Sequence, residues 1–326
     1  MVSVHSGRSD RRTGRFLFRR SRRRRADGGA ELMAVAFLGL GNMGGPMAAN
    51  LVKAGEKVLG YDPVPEAAAS AAEAGVSIVD SPAAAVAEAQ VVLTMLPSGK
   101  HVLDLYRDIV ALAQPDTLFL DCSTIEVADA RAAAELAVAA GHQAVDAPVS
   151  GGVVGAAAGT LTFMVGGRSE AFIAAEPYLH RMGAKFVHCG DSGAGQAAKI
   201  CNNMILGVSM IAVSEAFALG QALGLTDQAL FDVASTASGQ CWALTTNCPV
   251  PGPVPASPAN RGYQGGFASG LMLKDLRLSQ AAAEAADVRT ALGKHATDRY
   301  AEFVAEDGPG RDFSAIVTTL RENGTA

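Results

Sequence analysis

Lys199 and Asn203 stand four residues apart in the segment GAGQAAKICNN, at the start of a long apolar run. Side chains at that spacing share one face of a helix. The segment therefore offers an ammonium and a carboxamide side by side, while Asn202 points about 100 degrees away. A lysine at the mouth of an apolar helix either snorkels to water or works as an acid and base. Oxidising an alcohol by hydride transfer needs such a group, because the hydroxyl proton must leave as the carbon gives up its hydride.

A second constellation is GLGNMG, Gly39 to Gly44, which follows the apolar run AVAFL and precedes MGGPMAANLVKAG. This is the G-x-G-x-x-G pattern in its strand-to-helix setting. Gly39 suits a tight turn, Gly41 lets the backbone approach a pyrophosphate, and Gly44 lets helix and strand pack closely. Leu40, Asn42 and Met43 complete the turn, whose amides and helix dipole attract phosphate. Asp62 lies 23 residues beyond Gly39, at the end of VLGYD. A carboxylate there accepts a hydrogen bond from the ribose 2′-OH and repels a 2′-phosphate, so NAD is expected over NADP. A third group, Ser150, Gly151 and Gly152, combines a hydroxyl with a backbone able to turn its amides onto a carboxylate. Each group also admits a structural reading: a packing turn, the start of an Asp-Pro turn, a flexible strand end, or a buried asparagine serving a loop.

The elements around these residues indicate how they are positioned. From Val35 to about His188, short apolar runs alternate with alanine-rich, helix-compatible stretches, which predicts βαβ units in a parallel sheet. Strands are expected over 35–38, 57–61, 91–95, 117–121 and 144–147, with 161–165 and 185–188 extending the sheet around a helix over 169–181. After Gly195 the pattern becomes helical. Residues 196–225 are apolar nearly all round, as in a long helix buried between two bodies. The expected fold is thus an α/β Rossmann-type doubly wound sheet domain over 33–194. An all-α domain over 195–326 follows, joined through that long helix. The proline- and glycine-rich stretch 248–266 reads as a loop ordered by packing.

Composition narrows the function classes. The chain has 326 residues and a net charge of -5, but ten arginines in residues 1–32 make that segment +7, leaving -12 for the rest. So acidic a body argues against nucleic acid as a partner. The arginine-rich start is expected to be disordered. It admits three readings: a transit peptide, a basic nucleic-acid arm, or sequence ahead of a true start at Met33, the reading favoured here. A cytoplasmic location follows from the last, and the mitochondrial matrix from the first. Five cysteines without close pairing read as reduced thiols, with Cys201 as a small core residue. The longest charge-free stretch of the long helix, Ile200–Ser214, is 15 residues, short of the ~20 a membrane span takes, so no membrane partner is expected. No histidines cluster with acids at ligand spacing, so no metal is expected.

Taken in order, FLGLGNMG, DAPVSGG (146–152), GQAAKICNNM (195–204) and KDLRLS (274–279) resemble the β-hydroxyacid dehydrogenase family. The likeness runs from about Met33 to the C-terminus. NCPVPG and NRGYQGGF point within that family to a member acting on 3-hydroxyisobutyrate, with tartronate or succinate semialdehyde as alternative substrates. The resemblance implies Lys199 as catalytic acid/base, Ser150, Gly151 and Gly152 on the substrate carboxylate, and Asn203 orienting the substrate. It also implies Leu96, Pro97 and Thr124 along the cofactor and Lys274 at its nicotinamide end. His101 stands where the family pattern has an asparagine, so no role is carried over to it. A small hydroxyacid substrate and a homodimer or homotetramer are expected. A scaffold that binds a dinucleotide without catalysis is a rival reading that the lysine at 199 disfavours.

Overall fold

The computed structural model describes residues 34–322, so the expectations for residues 1–32 lie outside the described residues. Its strands are β1 (Ala34–Leu38), β2 (Val58–Tyr61), β3 (Ser77–Ile78), β4 (Ala89–Thr94), β5 (Leu118–Asp121), β6 (Gln143–Asp146), β7 (Val149–Ser150), β8 (Leu161–Gly167) and β9 (Gly183–Gly190). They form one sheet in the order β3-β2-β1-β4-β5-β6-β8-β7, with β9 paired to β8. The first six are mutually parallel; β8 runs antiparallel to β6 and β7, and β9 parallel to β8. Strand order reverses direction at β1 and β4, which is the switch point where an open parallel sheet leaves a crevice at its carboxyl ends.

Alternation along the strands accounts for the layers. Val35, Phe37, Leu93, Leu120 and Val145 enter one core. Ala36, Leu38, Val92 and Phe119 enter the other. Both faces are thus covered, as continuous apolar strands require. The covering helices are α1 (Gly44–Lys53), α2 (Pro65–Glu73), α3 (Pro82–Ala87), α4 (Gly99–Ile109), α5 (Val127–Ala139), α6 (Gly152–Ala158) and α7 (Ser169–Met182). Helix α7 joins β8 to β9, the unit anticipated from the sequence. The strands β3 and β7 and the helices α3 and α6 span two to seven residues, too few for periodicity to act on, whereas α4 buries Val102, Tyr106 and Ile109 at helical spacing and was legible in principle.

Beyond the sheet come α8 (Ala194–Ala222), α9 (Asp227–Ala234), α10 (Trp242–Thr245), α11 (Ser269–Ala285), α12 (Ala291–Asp307) and α13 (Val317–Glu322). They gather their own core from Met210, Phe217, Leu276, Tyr300 and Phe313. The 29-residue α8 is long and apolar enough to cross a membrane by length and composition. Its buried stripe nevertheless carries Gln196, Lys199, Asn203 and Ser214 and packs on protein: β8 and β9 at one end, α11 and α12 further along. The 248–266 stretch is ordered by burial of Cys248, Val250 and Tyr263, and the Tyr263 hydroxyl donates to the Pro249 carbonyl at 2.9 Å.

One expectation for a single residue needs correction. Cys201 is exposed, not core. It lies two residues past Lys199 and so about 200 degrees around the helix from it.

Candidate active site

Three loops at the carboxyl ends of β1, β4 and β5 build the crevice. After β1, Gly39 adopts φ +96°, and a Cβ there would stand 2.3 Å from the Met95 carbonyl. At Gly44 a Cβ would meet the Gly39 carbonyl at 1.9 Å. Both glycines are therefore demanded by the fold. Gly41 differs: it is exposed, lacks a positive φ, and a Cβ there would meet nothing within 4 Å. Packing does not ask for glycine at 41, whereas close approach of a pyrophosphate does. The residues present fit a dinucleotide. Asn42 is exposed and Met43 half-buried on the same turn.

Asp62 holds this turn. Its Oδ2 accepts from the Leu40 amide at 2.7 Å and its Oδ1 from Val64 at 2.8 Å. The carboxylate thus sits beside the glycine turn, where a ribose contact was expected, and also starts the following turn. After β4, the Leu96 amide donates to Ser123 Oγ at 2.8 Å, tying the Leu96–Pro97 loop to the 122–126 loop after β5. Pro97 is exposed and Thr124 half-buried at this edge. His101 pairs with Ser98 Oγ at 2.7 Å within the first turn of α4. Asp121 accepts at one oxygen from Thr94 Oγ1, Ser123 N and Ser123 Oγ, and burial pushes its carboxyl up to about 6 despite these donors.

The lysine enters from α8. Lys199 is 6% exposed, and its Nζ makes no hydrogen bond among the described residues. Burial lowers its pKa, the Asp275 carboxylate opposes that shift, and the Lys274 ammonium adds to it. Burial of the amine disfavours its charged form, which is the condition a proton acceptor needs. Asn203, 2% exposed, donates through Nδ2 to Asp275 Oδ2 at 2.5 Å and accepts from Asn202 at 2.9 Å. Asn202 itself faces out, as the helical geometry anticipated. Lys274, on α11, donates to the Thr124 carbonyl at 2.8 Å, and its Nζ lies 3.7 Å from Asp275 Oδ1. The helical part thereby reaches across to the cofactor-side loop.

Ser150 ends β7, and Gly151 (φ +134°) and Gly152 (φ +61°) open α6. Both glycines adopt conformations that side chains resist. A Cβ at Gly152 would meet only open space, so the turn is not filled by neighbouring side chains.

Three residues of this site went unremarked in the sequence. Asp275 is 3% exposed and directly follows Lys274. Asp146 accepts from the Gly193 amide at 2.6 Å and the Gln196 amide at 2.9 Å, capping α8, whose own N-cap is a glycine. Burial raises the Asp146 pKa, and these amide donors work against that rise. Gln196 bonds the 122–126 loop through both ends of its amide. All three lie inside motifs already noted; helical spacing would have found Gln196, three residues before Lys199.

Crevice, glycine turn and buried lysine define a nucleotide-dependent oxidoreductase with a helical second half. The comparisons agree. Residues 34–190 match the model for the NAD binding domain of 6-phosphogluconate dehydrogenase. Residues 193–320 match that for NAD-binding of NADP-dependent 3-hydroxyisobutyrate dehydrogenase. A probable 3-hydroxyisobutyrate dehydrogenase of Mycobacterium tuberculosis is 55% identical over 90% of this chain and 100% of its own length. A Pseudomonas aeruginosa protein named NAD-dependent L-serine dehydrogenase is 46% identical over 86% of this chain and 96% of its own. The solved Mycobacterium tuberculosis 3-hydroxyisobutyrate dehydrogenase with L-serine superposes with a TM-score of 0.87 at 56% identity, covering 89% of this chain and 99% of that one. The chain belongs to the 3-hydroxyisobutyrate dehydrogenase family. It is an NAD-dependent hydroxyacid dehydrogenase.

Proposed function

We propose that the chain oxidises 3-hydroxyisobutyrate to methylmalonate semialdehyde, a step of valine breakdown, with Lys199 as the acid/base. The observation that carries this reading is the buried, unbonded Lys199 amine with its lowered pKa. In the oxidising direction the neutral amine takes the hydroxyl proton as the C–H bond breaks. In reverse, the ammonium returns it to the carbonyl oxygen. Bound NAD supplies the acceptor for the hydride. Ser150, Gly151 and Gly152 receive the substrate carboxylate, and Asn203, clamped by Asp275, faces the substrate with Lys199. On the cofactor side we assign Gly39 to Gly44, Asp62, Leu96, Pro97, Thr124 and Lys274.

L-Serine is the second reading, favoured by the relative named for it and by the solved structure containing it. The two substrates differ in a methyl against an ammonium. A buried ammonium needs a counter-charge, and Asp275 already serves Asn203 and faces two lysines. That balance supports the methyl-bearing acid. The test is kcat/KM over a panel of 3-hydroxyisobutyrate, L-serine and the reduced forms of tartronate and succinate semialdehyde, with NAD and NADP. Preference for 3-hydroxyisobutyrate with NAD is expected; higher kcat/KM for any other member overturns the substrate assignment.

Asp62→Asn is expected to relax the cofactor preference towards NADP by about tenfold, a change of roughly 1.4 kcal/mol in relative affinity. An unchanged NAD/NADP ratio of kcat/KM would count against the ribose contact.

Self-association is also expected. Cys201, Ile205, Ala212, Ala216 and Leu219 form an exposed stripe along α8 that continues to Leu223 just past its end, with Ile205 65%, Leu219 62% and Leu223 74% exposed. An apolar stripe of this length suits a second copy of the chain. Light scattering should give a dimer or tetramer, and Leu219→Glu should reduce its size; a monomeric parent protein rejects the idea. The mycobacterial relative supports a cytoplasmic location; peptide mapping of the native N-terminus separates it from the mitochondrial matrix.

A further inference from the structure

We infer that Gln196 is a positioning residue for the reaction: its amide bolts the helix carrying Lys199 to the loop carrying Thr124. The inference rests on the assignment of Lys199 above. Gln196 is fully buried and lies one turn before Lys199 on α8. Its Oε1 accepts from the Ile125 amide at 3.2 Å, and its Nε2 donates to the Ser123 carbonyl at 2.7 Å. Both partners flank Thr124, whose own carbonyl receives Lys274. The backbone of the same turn is pinned from behind, since the Gln196 amide donates to Asp146 Oδ2 at 2.9 Å. There is also no slack around it. A Cβ at Gly195 would stand 2.3 Å from the Met164 carbonyl, and one at Gly166 would stand 2.7 Å from the Gly195 nitrogen.

The helix that delivers the base and the loop beside the cofactor thus share one rigid joint, with the Gln196 amide as its pin. Hydride and proton leave the same substrate, so base and cofactor must keep a fixed separation, and a displacement of about 1 Å can cost about 100-fold in rate. Capping alone would not require a glutamine side chain, because Asp146 already takes the helix amides.

The chemistry of the pin suggests a discriminating test. A protonated glutamate is isosteric with glutamine: its hydroxyl donates to Ser123 and its carbonyl accepts from Ile125. An ionised glutamate only accepts, and it faces the Ser123 carbonyl without a proton. In the full-length protein, Gln196→Glu and Gln196→Leu are compared with the parent from about pH 6 to about pH 9. The readouts are kcat and KM for 3-hydroxyisobutyrate, with kcat normalised to NAD-binding sites.

Full burial at this position raises a carboxyl's pKa into the range tested, so for Gln196→Glu the kcat ratio to parent is expected to rise about tenfold or more as pH falls and protonation restores the missing donor. A purely electrostatic effect runs the other way, because an ionised glutamate near Lys199 would favour the ammonium and depress oxidation at low pH. Gln196→Leu is expected to lower kcat by about 10- to 100-fold at every pH, with NAD affinity within about twofold of parent. A flat or falling Gln196→Glu ratio overturns the inference, as does a leucine variant with parental kcat. Should the leucine variant not fold, the glutamate ratio decides alone. A parent protein inactive on every hydroxyacid defeats the proposed function and this inference with it. An active parent with a flat ratio defeats only the role of Gln196.

Discussion

Replacing Lys199 with alanine is expected to lower kcat by about 100- to 10,000-fold, the range a positioned acid/base contributes. NAD affinity should stay within about twofold of parent, because the glycine turn and Asp62 lie on other elements. The substitution should not threaten the fold. It removes a buried amine that no described residue hydrogen-bonds, and alanine is the best helix former. Single-turnover measurements of NADH formation, paired with a fluorescence titration of NAD, check both halves. Loss of NAD binding with the chemical step preserved would show that Lys199 serves the cofactor instead.

Asp275 and Lys274 should move the pH profile in opposite directions. Burial is the largest influence on Lys199 and favours the neutral amine; Asp275 favours the ammonium and Lys274 disfavours it. Oxidation needs the neutral amine, so kcat/KM rises as pH climbs through the lysine pKa. Asp275→Asn removes the stabilising carboxylate, which lowers that pKa further and carries the acid limb of the profile to lower pH. Lys274→Gln removes the opposing cation, raises the pKa, and carries the limb to higher pH. Asp275→Asn should also cut kcat by about tenfold or more, because Asn203 loses a charge-assisted hydrogen bond worth about 1.5–3 kcal/mol. Profiles of log kcat/KM against pH for the two variants check the pair. Shifts in the same direction, or none, would mean that Lys199 is not the titrating group.

These two predictions depend on residues of very different visibility. Lys199 and Asn203 were legible because four-residue spacing on a helix is a local rule, and α8 obeys it: both are buried while Asn202 and Cys201 face outward. Cys201 was misplaced because apolar composition around it suggested a helix buried on every side. The glycine turn was legible for a similar reason, since a strand, a tight turn and a helix are written consecutively. Asp275 was not. Its importance arises from meeting Asn203, 72 residues away in sequence, and no spacing rule spans that distance. Gln196 stands in plain view in GQAAK, yet its partners Ser123 and Ile125 become visible only when the loop after β5 meets the start of α8.

The linear chain by itself determined the kind of machine: alternating strands and helices, a glycine turn between strand and helix with its acidic partner, and an amine at the head of a long apolar helix. Periodicity and turn chemistry act over a few residues, so they can be read without a fold. Tertiary structure decided what surrounds the amine. Asp275 and Lys274 come from α11, the cap of α8 comes from Asp146 on β6, and the glutamine joint closes onto the loop after β5. Charge and hydrogen bonding act through space, and only packing brings those groups within reach of one another.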